Sequence, residues 1–317
     1  MVISNGIPPN ITILLLSAWD GLNMEVLRTT ITSSMITCFF FFLLFMAAML
    51  TIFFTNSVAR ETPRYILFIH MIINDAAYLC FALLIFIFYV YHITLPVPVC
   101  YFMIILCSTS LKVTPYNLAV MSLERYVAIY FPLRHGEFCT IPRTFLAIAL
   151  VWTICLIPSV VDFIILCSSV NKSFFLLYVI CSESNFTIIP VQEVLRIFCY
   201  ILTFSLAGLA ILFTYIRITL IAWRIFSKKE SASKAAKTMM LHAVQLMLCM
   251  STFGWSTVEL FTKDNLVLLP TINFCFFICL PRFLSIIIYG ARDELFFGYI
   301  KRCFVRSASK IVPSSAT

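Results

Sequence analysis

Apolar residues fill this chain in long blocks separated by short polar gaps, and seven such blocks can be drawn. Their approximate limits are 30–55, 64–91, 98–128, 143–166, 190–223, 236–260 and 267–290. Each is near or above the roughly 20 residues that an α-helix needs to cross the hydrocarbon core of a bilayer. A shorter patch, ITILLL at 11–16, is too small for the core of a signal peptide and has no basic residue before it. Residues 1–28 therefore read as a tail, and the first block acts as its own signal. No internal repeat is visible, and an odd number of spans argues against a transporter built from two like halves. The pattern predicts an all-α membrane protein, a seven-transmembrane helix bundle occupying residues 29–290 with a tail at 291–317.

Composition supports this pattern. The chain of 317 residues is 62% hydrophobic and 11% charged, whereas a soluble domain carries about 25% charged residues. Its mean hydropathy is +1.02. Seven glycines against 32 phenylalanines suit bulky side chains facing lipid better than a tightly turned sheet protein.

Charge adds orientation. Arg60 and Arg64 follow the first block, and Arg125, Arg134 and Arg143 surround the gap after the third. Arg217, Arg224, Lys228, Lys229, Lys234 and Lys237 surround the gap after the fifth, and Arg292, Lys301, Arg302, Arg306 and Lys310 follow the seventh. The other face has only Arg28, Lys172 and Lys263 near its loops. The positive-inside rule makes the basic face cytoplasmic and the N-terminus extracellular. The net charge of +8 then follows from topology, and nucleic acid is not an implied partner. Glycosylation sequons at Asn10, Asn171 and Asn185 all fall in segments assigned outside.

Cys100 and Arg125 lie 25 residues apart. On a helix that separation is about 37 Å, the width of a bilayer with part of its interface. Cys100 therefore marks the outer mouth of the third span and Arg125 the inner one. The loop after the fourth span offers two disulfide partners, Cys167 and Cys181. Cys167 is close to its helix end, whereas Cys181 is in mid-loop and better able to reach across. Cys100–Cys181 is the expected pair, with Cys167 the alternative.

Residues 121–135 read MSLERYVAIYFPLRH, and two adjacent charges are a poor way to end a buried helix unless they have a task. This stretch resembles the inner end of helix three in vertebrate odorant receptors of the rhodopsin-like (class A) G-protein-coupled receptors, where the family reads M-A-x-[DE]-R-Y-x-A-I-x-x-P-L-x-[YH]. TPRYILFIHMIINDAAY at 62–78 resembles the family's second helix, with Asp75 as its inner acid. KAAKTMMLHA at 234–243 is similar to the opening of helix six, and IIIYGARDELFFGYIKR at 286–302 to the end of helix seven and the short amphipathic helix after it. The likeness covers about residues 30–302 and is strongest to the fish type. The chain also departs from the family. There is no Asn near Ala47, no aromatic-Pro switch in LMLCMSTFGW and no mid-span Pro in helix five, and Ser285 to Tyr289 lacks the usual Pro.

The resemblance implies an odorant receptor that couples an extracellular small molecule to a heterotrimeric G protein with a stimulatory, olfactory-type α subunit, at the plasma membrane. It implies a switch built from Glu124, Arg125, Tyr126, Tyr215, His242 and Tyr289, in which Glu124 holds Arg125 at rest. It implies a ligand cavity in the outer half among helices three, five, six and seven, at Cys107, Ser108, Leu111, Phe198, Leu202, Phe253, Thr257 and Phe274. Asp75 matches a position that commonly binds sodium in the class, and Arg282, about two turns above Tyr289, is expected to replace the ion by pairing with it.

Lys112, in the middle of the third span three residues before Pro115, has candidate partners in Asp162 and Glu193, or else faces the ligand pocket. No phosphate loop, His-Glu-x-x-His or nucleophile elbow is present, and His70, His92, His135 and His242 are scattered. No enzyme chemistry, metal or cofactor is expected. The rival readings are a class A receptor for a pheromone or metabolite, and a transporter or channel using Asp75, Lys112 and Arg282 as a polar path.

Overall fold

The computed structural model describes residues 9–224 and scattered positions within 233–250 and 278–284. Five long helices cross in the described region: α1 (Pro9–Thr55), α2 (Pro63–Val90), α3 (Val97–Tyr130), α4 (Ile141–Ser169) and α5 (Pro190–Arg224). Single helical turns at Ser57–Glu61 and His135–Phe138 fill the gaps between α1 and α2 and between α3 and α4. The first helix starts at Pro9, well before the first apolar block, but its segment of membrane-crossing character is Arg28–Thr55. The other four crossing segments, Pro63–Val90, Val97–Tyr130, Ile141–Ser169 and Pro190–Ile221, match the blocks drawn from sequence within a few residues. Blocks six and seven, and the helix expected after them, lie outside the described residues except for those scattered positions.

Proline sets the helix starts. α2, α3, α4 and α5 each open with a proline in the first turn, at Pro63, Pro98, Pro142 and Pro190. The ring presets a helical φ at a place where an N–H has no partner within the helix. Thr62, forced away from the helical region by the following ring, is extended at φ −101°, ψ 118°, which separates α2 from the turn before it. Pro115 and Pro158 instead sit inside α3 and α4. A membrane bundle accepts such prolines where neighbours satisfy the freed backbone groups.

α1 shows how the bundle buries one stripe and gives the rest to lipid. Met35, Phe42 and Met49, seven residues apart, are buried, while Phe40, Phe41, Leu44 and Phe45 are exposed. Seven residues are two helical turns, so the buried side chains share one face. α3 is the opposite case and packs against α2, α4 and α5. Its interior face carries Thr109, Ser110, Lys112, Thr114, Asn117, Ser122 and Glu124, all buried. In the hydrocarbon layer polar groups must be satisfied inside the protein, so this is where the site chemistry collects.

The purely helical expectation needs one correction. Outside the bundle, Thr94–Pro96 (β1) pairs antiparallel with Tyr178–Ile180 (β2), with Leu95 opposite Val179. Three residues per strand give no sequence signal. The ribbon forms because the loop after α4 is drawn over the start of α3, where Cys181 bonds Cys100.

Candidate functional site

The C-terminal end of α3 holds Glu124 at 9% exposure between Arg125 and His135. Arg125 Nε lies 3.9 Å from Oε2, and His135 Nε2 lies 3.1 Å from Oε1. The His135–Phe138 turn thus reaches back to the acid that precedes Arg125. The next residue, Tyr126, packs its ring against Tyr130 at 5.3 Å and against Phe213 of α5 at 5.7 Å. Arg217 of α5 places its guanidinium 5.3 Å from the Tyr130 ring centre and donates to the Tyr130 hydroxyl at 3.4 Å. Tyr215 is half-buried on the same stretch of α5. Beside this cluster, outside the spans, burial and then the Glu124 carboxylate push the Cys139 thiol above its ordinary value.

The middle of α3 is tied to α2 and α4 by a polar chain. Trp152 Nε1 donates to His70 Nε2 at 2.9 Å, which leaves the ring proton on Nδ1 to donate to Asn117 Oδ1 at 3.2 Å. Asn117 in turn donates to the Leu67 carbonyl. One turn toward the N-terminal end of α3, Asn74 donates to the Ser110 carbonyl and to Thr114 Oγ1, and Thr114 donates to Asp75 Oδ1 at 2.9 Å. Asp75 is fully buried. Arg282 is 1% exposed, bonds the Ile278 carbonyl, and lies 4.0 Å from the ring centre of Tyr78, one turn along α2 from Asp75.

At the N-terminal end of α3, the Cys100–Cys181 disulfide spans a Cα–Cα distance of 5.4 Å, and Cys167 is an exposed free thiol. Below it a cavity opens between α3, α4, α5 and the loop after α4, with Tyr101, Ser108, Lys112, Ser159, Arg196 and Tyr200 among its walls. Asp162 accepts from Tyr101 Oη at 3.2 Å and from Gln192 Nε2 at 3.1 Å, with Arg196 Nε at 3.8 Å. Arg196 also bonds Glu183 at 2.9 Å and Thr187 at 2.6 Å. Asp162 is therefore taken by α5 and the loop, and the expected Lys112–Asp162 and Lys112–Glu193 pairs are not formed. Lys112 makes a 3.4 Å bond to Ser159 Oγ and lies 5.7 Å from the Tyr200 ring centre.

One helix thus carries an anchor with a cavity near its N-terminal end, a polar middle and an acid–base pair at its C-terminal end. The family model described as "7 transmembrane receptor (rhodopsin family)" matches residues 46–287. The chain belongs to that family. The receptor is also similar to odorant receptor 131-2 of Danio rerio, at 27% identity over 258 residues, 80% of this chain and 79% of that protein.

Of the ligand positions inferred from sequence, Ser108 and Lys112 line the cavity between α3, α4 and α5. Cys107 and Leu111 pack against the main core instead. Phe198 and Leu202 lie on the exposed face of α5, at 59% and 43% exposure, because the helix turns Cys199 and Tyr200 toward the cavity. Phe253, Thr257, Phe274, His242 and Tyr289 fall outside the described residues. Asn171 and Asn185 are exposed in the loop after α4, and the side chain of Asn10 is outside the described set. Sequence reasoning missed Arg196, Glu183, Ser159 and Tyr200, and missed His135 as a partner of Glu124. An arginine six residues into a span was the available signal for Arg196.

Proposed function

We propose that the receptor detects small odorant molecules outside the cell and activates a heterotrimeric G protein of the stimulatory, olfactory type. The observation that carries this reading is α3 itself, which joins the cavity and disulfide near one end to the Glu124–Arg125–His135 cluster at the other. A partly desolvated charge pair has two arrangements of similar energy, as a switch requires. The named function of the Danio rerio relative supports the odorant assignment.

In this reading the chain makes seven spans, with the sixth and seventh near 236–260 and 267–290 and a short amphipathic helix after them. The N-terminal tail 1–28 is extracellular and glycosylated at Asn10, and the outer loop at Asn171 and Asn185. Residues 291–317 form the cytoplasmic helix and tail of a plasma-membrane protein. Tyr126, Tyr215, His242 and Tyr289 complete the switch around Arg125. Asp75 pairs with Arg282, a reading supported by the burial of both and by the place of Arg282 over Tyr78.

The test is an odorant screen of the full chain in cells carrying a cyclic-AMP reporter. Ligand-dependent cyclic AMP is the expected result. Ion or solute flux in the absence of G protein would instead establish a transporter or channel.

A further inference from the structure

Lys112 is the unresolved charge of the outer half. It is 5% exposed, it lies near the middle of a membrane-crossing helix, and no carboxylate lies within ion-pairing distance of it among the described residues. Its one hydrogen bond among the described residues, to Ser159, is long at 3.4 Å, and Ser159 also bonds Thr109 at 3.1 Å. The acid nearest in expectation, Asp162, is bonded by Tyr101, Gln192 and Arg196. An ammonium held in a low-dielectric interior without a counter-ion is strongly disfavoured, and Lys112 borders a cavity that leads to the outer loop. Around it the walls are of two kinds. Ser108, Ser159 and Tyr200 supply hydroxyls, and Ile104, Ile105 and Phe186 supply apolar surface.

We propose that this cavity takes a small organic monocarboxylate, with the carboxylate on the Lys112 ammonium and the apolar body against Ile104, Ile105 and Phe186. The ligand supplies a negative charge that no described residue places within ion-pairing distance of Lys112, and ion pairing inside the bundle is far stronger than in water. Arg196 stands closer to the outer loop, where its bonds to Asp162 and Glu183 neutralise it, so Lys112 remains the cation that binds. The site lies among α3, α4 and α5, on the α4 side of the position inferred from sequence. This proposal rests on the receptor reading above and names the ligand class of its outer site.

The test uses the full receptor in lipid nanodiscs and in reporter cells. The probes are straight-chain and aromatic monocarboxylates, each beside the primary amide, amine, alcohol and aldehyde of the same skeleton. Thermal stability of the purified protein reads binding, and cyclic AMP reads coupling. At least one acid is expected to raise the melting temperature, with its amide and amine at least about tenfold weaker, which corresponds to the loss of a charged pair. Lys112→Met should abolish the shift and Lys112→Arg should retain part of it. Should Lys112→Met fail to fold, Lys112→Arg combined with the acid-to-amide ratio decides. Amides or amines binding as well as acids, no shift from any acid, or an unchanged shift in Lys112→Met would each overturn the carboxylate site. So would aldehydes acting alone with a borohydride-trapped adduct on Lys112. Acids that bind without raising cyclic AMP would uphold the site while contradicting the proposed coupling.

Discussion

Glu124 is nearly buried and shares its two oxygens between Arg125 and His135. His135 is at hydrogen-bond distance from the carboxylate, 3.1 Å, where a bond to a charged group contributes about 1.5–3 kcal/mol. Arg125 at 3.9 Å is an ion-pair contact, so losing either partner shifts the balance between resting and active states. Glu124→Gln and His135→Ala are each expected to raise basal cyclic AMP several-fold at equal surface expression. Unchanged basal signalling in both would show that this cluster does not hold the resting state. Cys139 reports on the same acid. Its raised thiol pKa leaves less thiolate near neutral pH than an ordinary cysteine has, so its alkylation by iodoacetamide should rise only at higher pH. Glu124→Gln removes the carboxylate's share and leaves the burial share, and the midpoint should move part of the way back. Peptide mass spectrometry across a pH series measures both midpoints, and equal midpoints in the two proteins would contradict the proximity argument.

Among the elements, α3 and the loop after α4 are joined by the disulfide and the two-stranded ribbon. Cys100→Ser and Cys181→Ser should each lower surface expression, and the double change should be no worse than either single one, because one bond is lost in every case. Cys167→Ser should be silent in the same flow-cytometry assay. Between α2 and the segment that holds Arg282, the proposed ion pair makes a second case. Removing one partner of a buried pair costs about 3–5 kcal/mol, so Asp75→Asn and Arg282→Met should each fall sharply in surface expression. The exchange Asp75→Arg with Arg282→Asp should recover part of it. Added sodium should leave agonist affinity unchanged beyond an ionic-strength control, and a sodium effect abolished by Asp75→Asn would place Arg282 elsewhere. The helices themselves were legible in the sequence because each depends on a long apolar run and, for α2 to α5, on a proline that starts it. Cys181 was legible because a mid-loop cysteine has the reach that Cys167 lacks. The partners of Asp162 were not legible. Arg196, Gln192 and Tyr101 are brought together by the packing of three helices, and no local spacing encodes which carboxylate Arg196 will take. The ribbon was hidden for the same reason, since Thr94–Pro96 and Tyr178–Ile180 are too short to carry a strand pattern. On α5, the apolar side chains of Phe198 and Leu202 read equally well as pocket or lipid surface, and the structure gives them to the outside.

For the whole molecule, the membrane explains what a soluble protein would find intolerable. Phe40, Phe41, Leu146, Ile157 and Ile164 stand exposed on the outer helices, while Asp75, Lys112 and Arg282 are buried. That inversion leaves α3 as a polar axis through the bundle, with a cavity near its N-terminal end and an acid–base pair at its C-terminal end. The central claim is that this axis couples the two ends through Arg125. The measurement that tests it most directly is guanine-nucleotide exchange on a purified stimulatory G protein, driven by the purified receptor in nanodiscs with an activating ligand from the screen. Arg125→Ala is expected to bind that ligand with the same thermal shift as the unaltered receptor and to leave exchange at the rate of the G protein alone. Ligand-stimulated exchange by Arg125→Ala equal to that of the unaltered receptor would contradict the account.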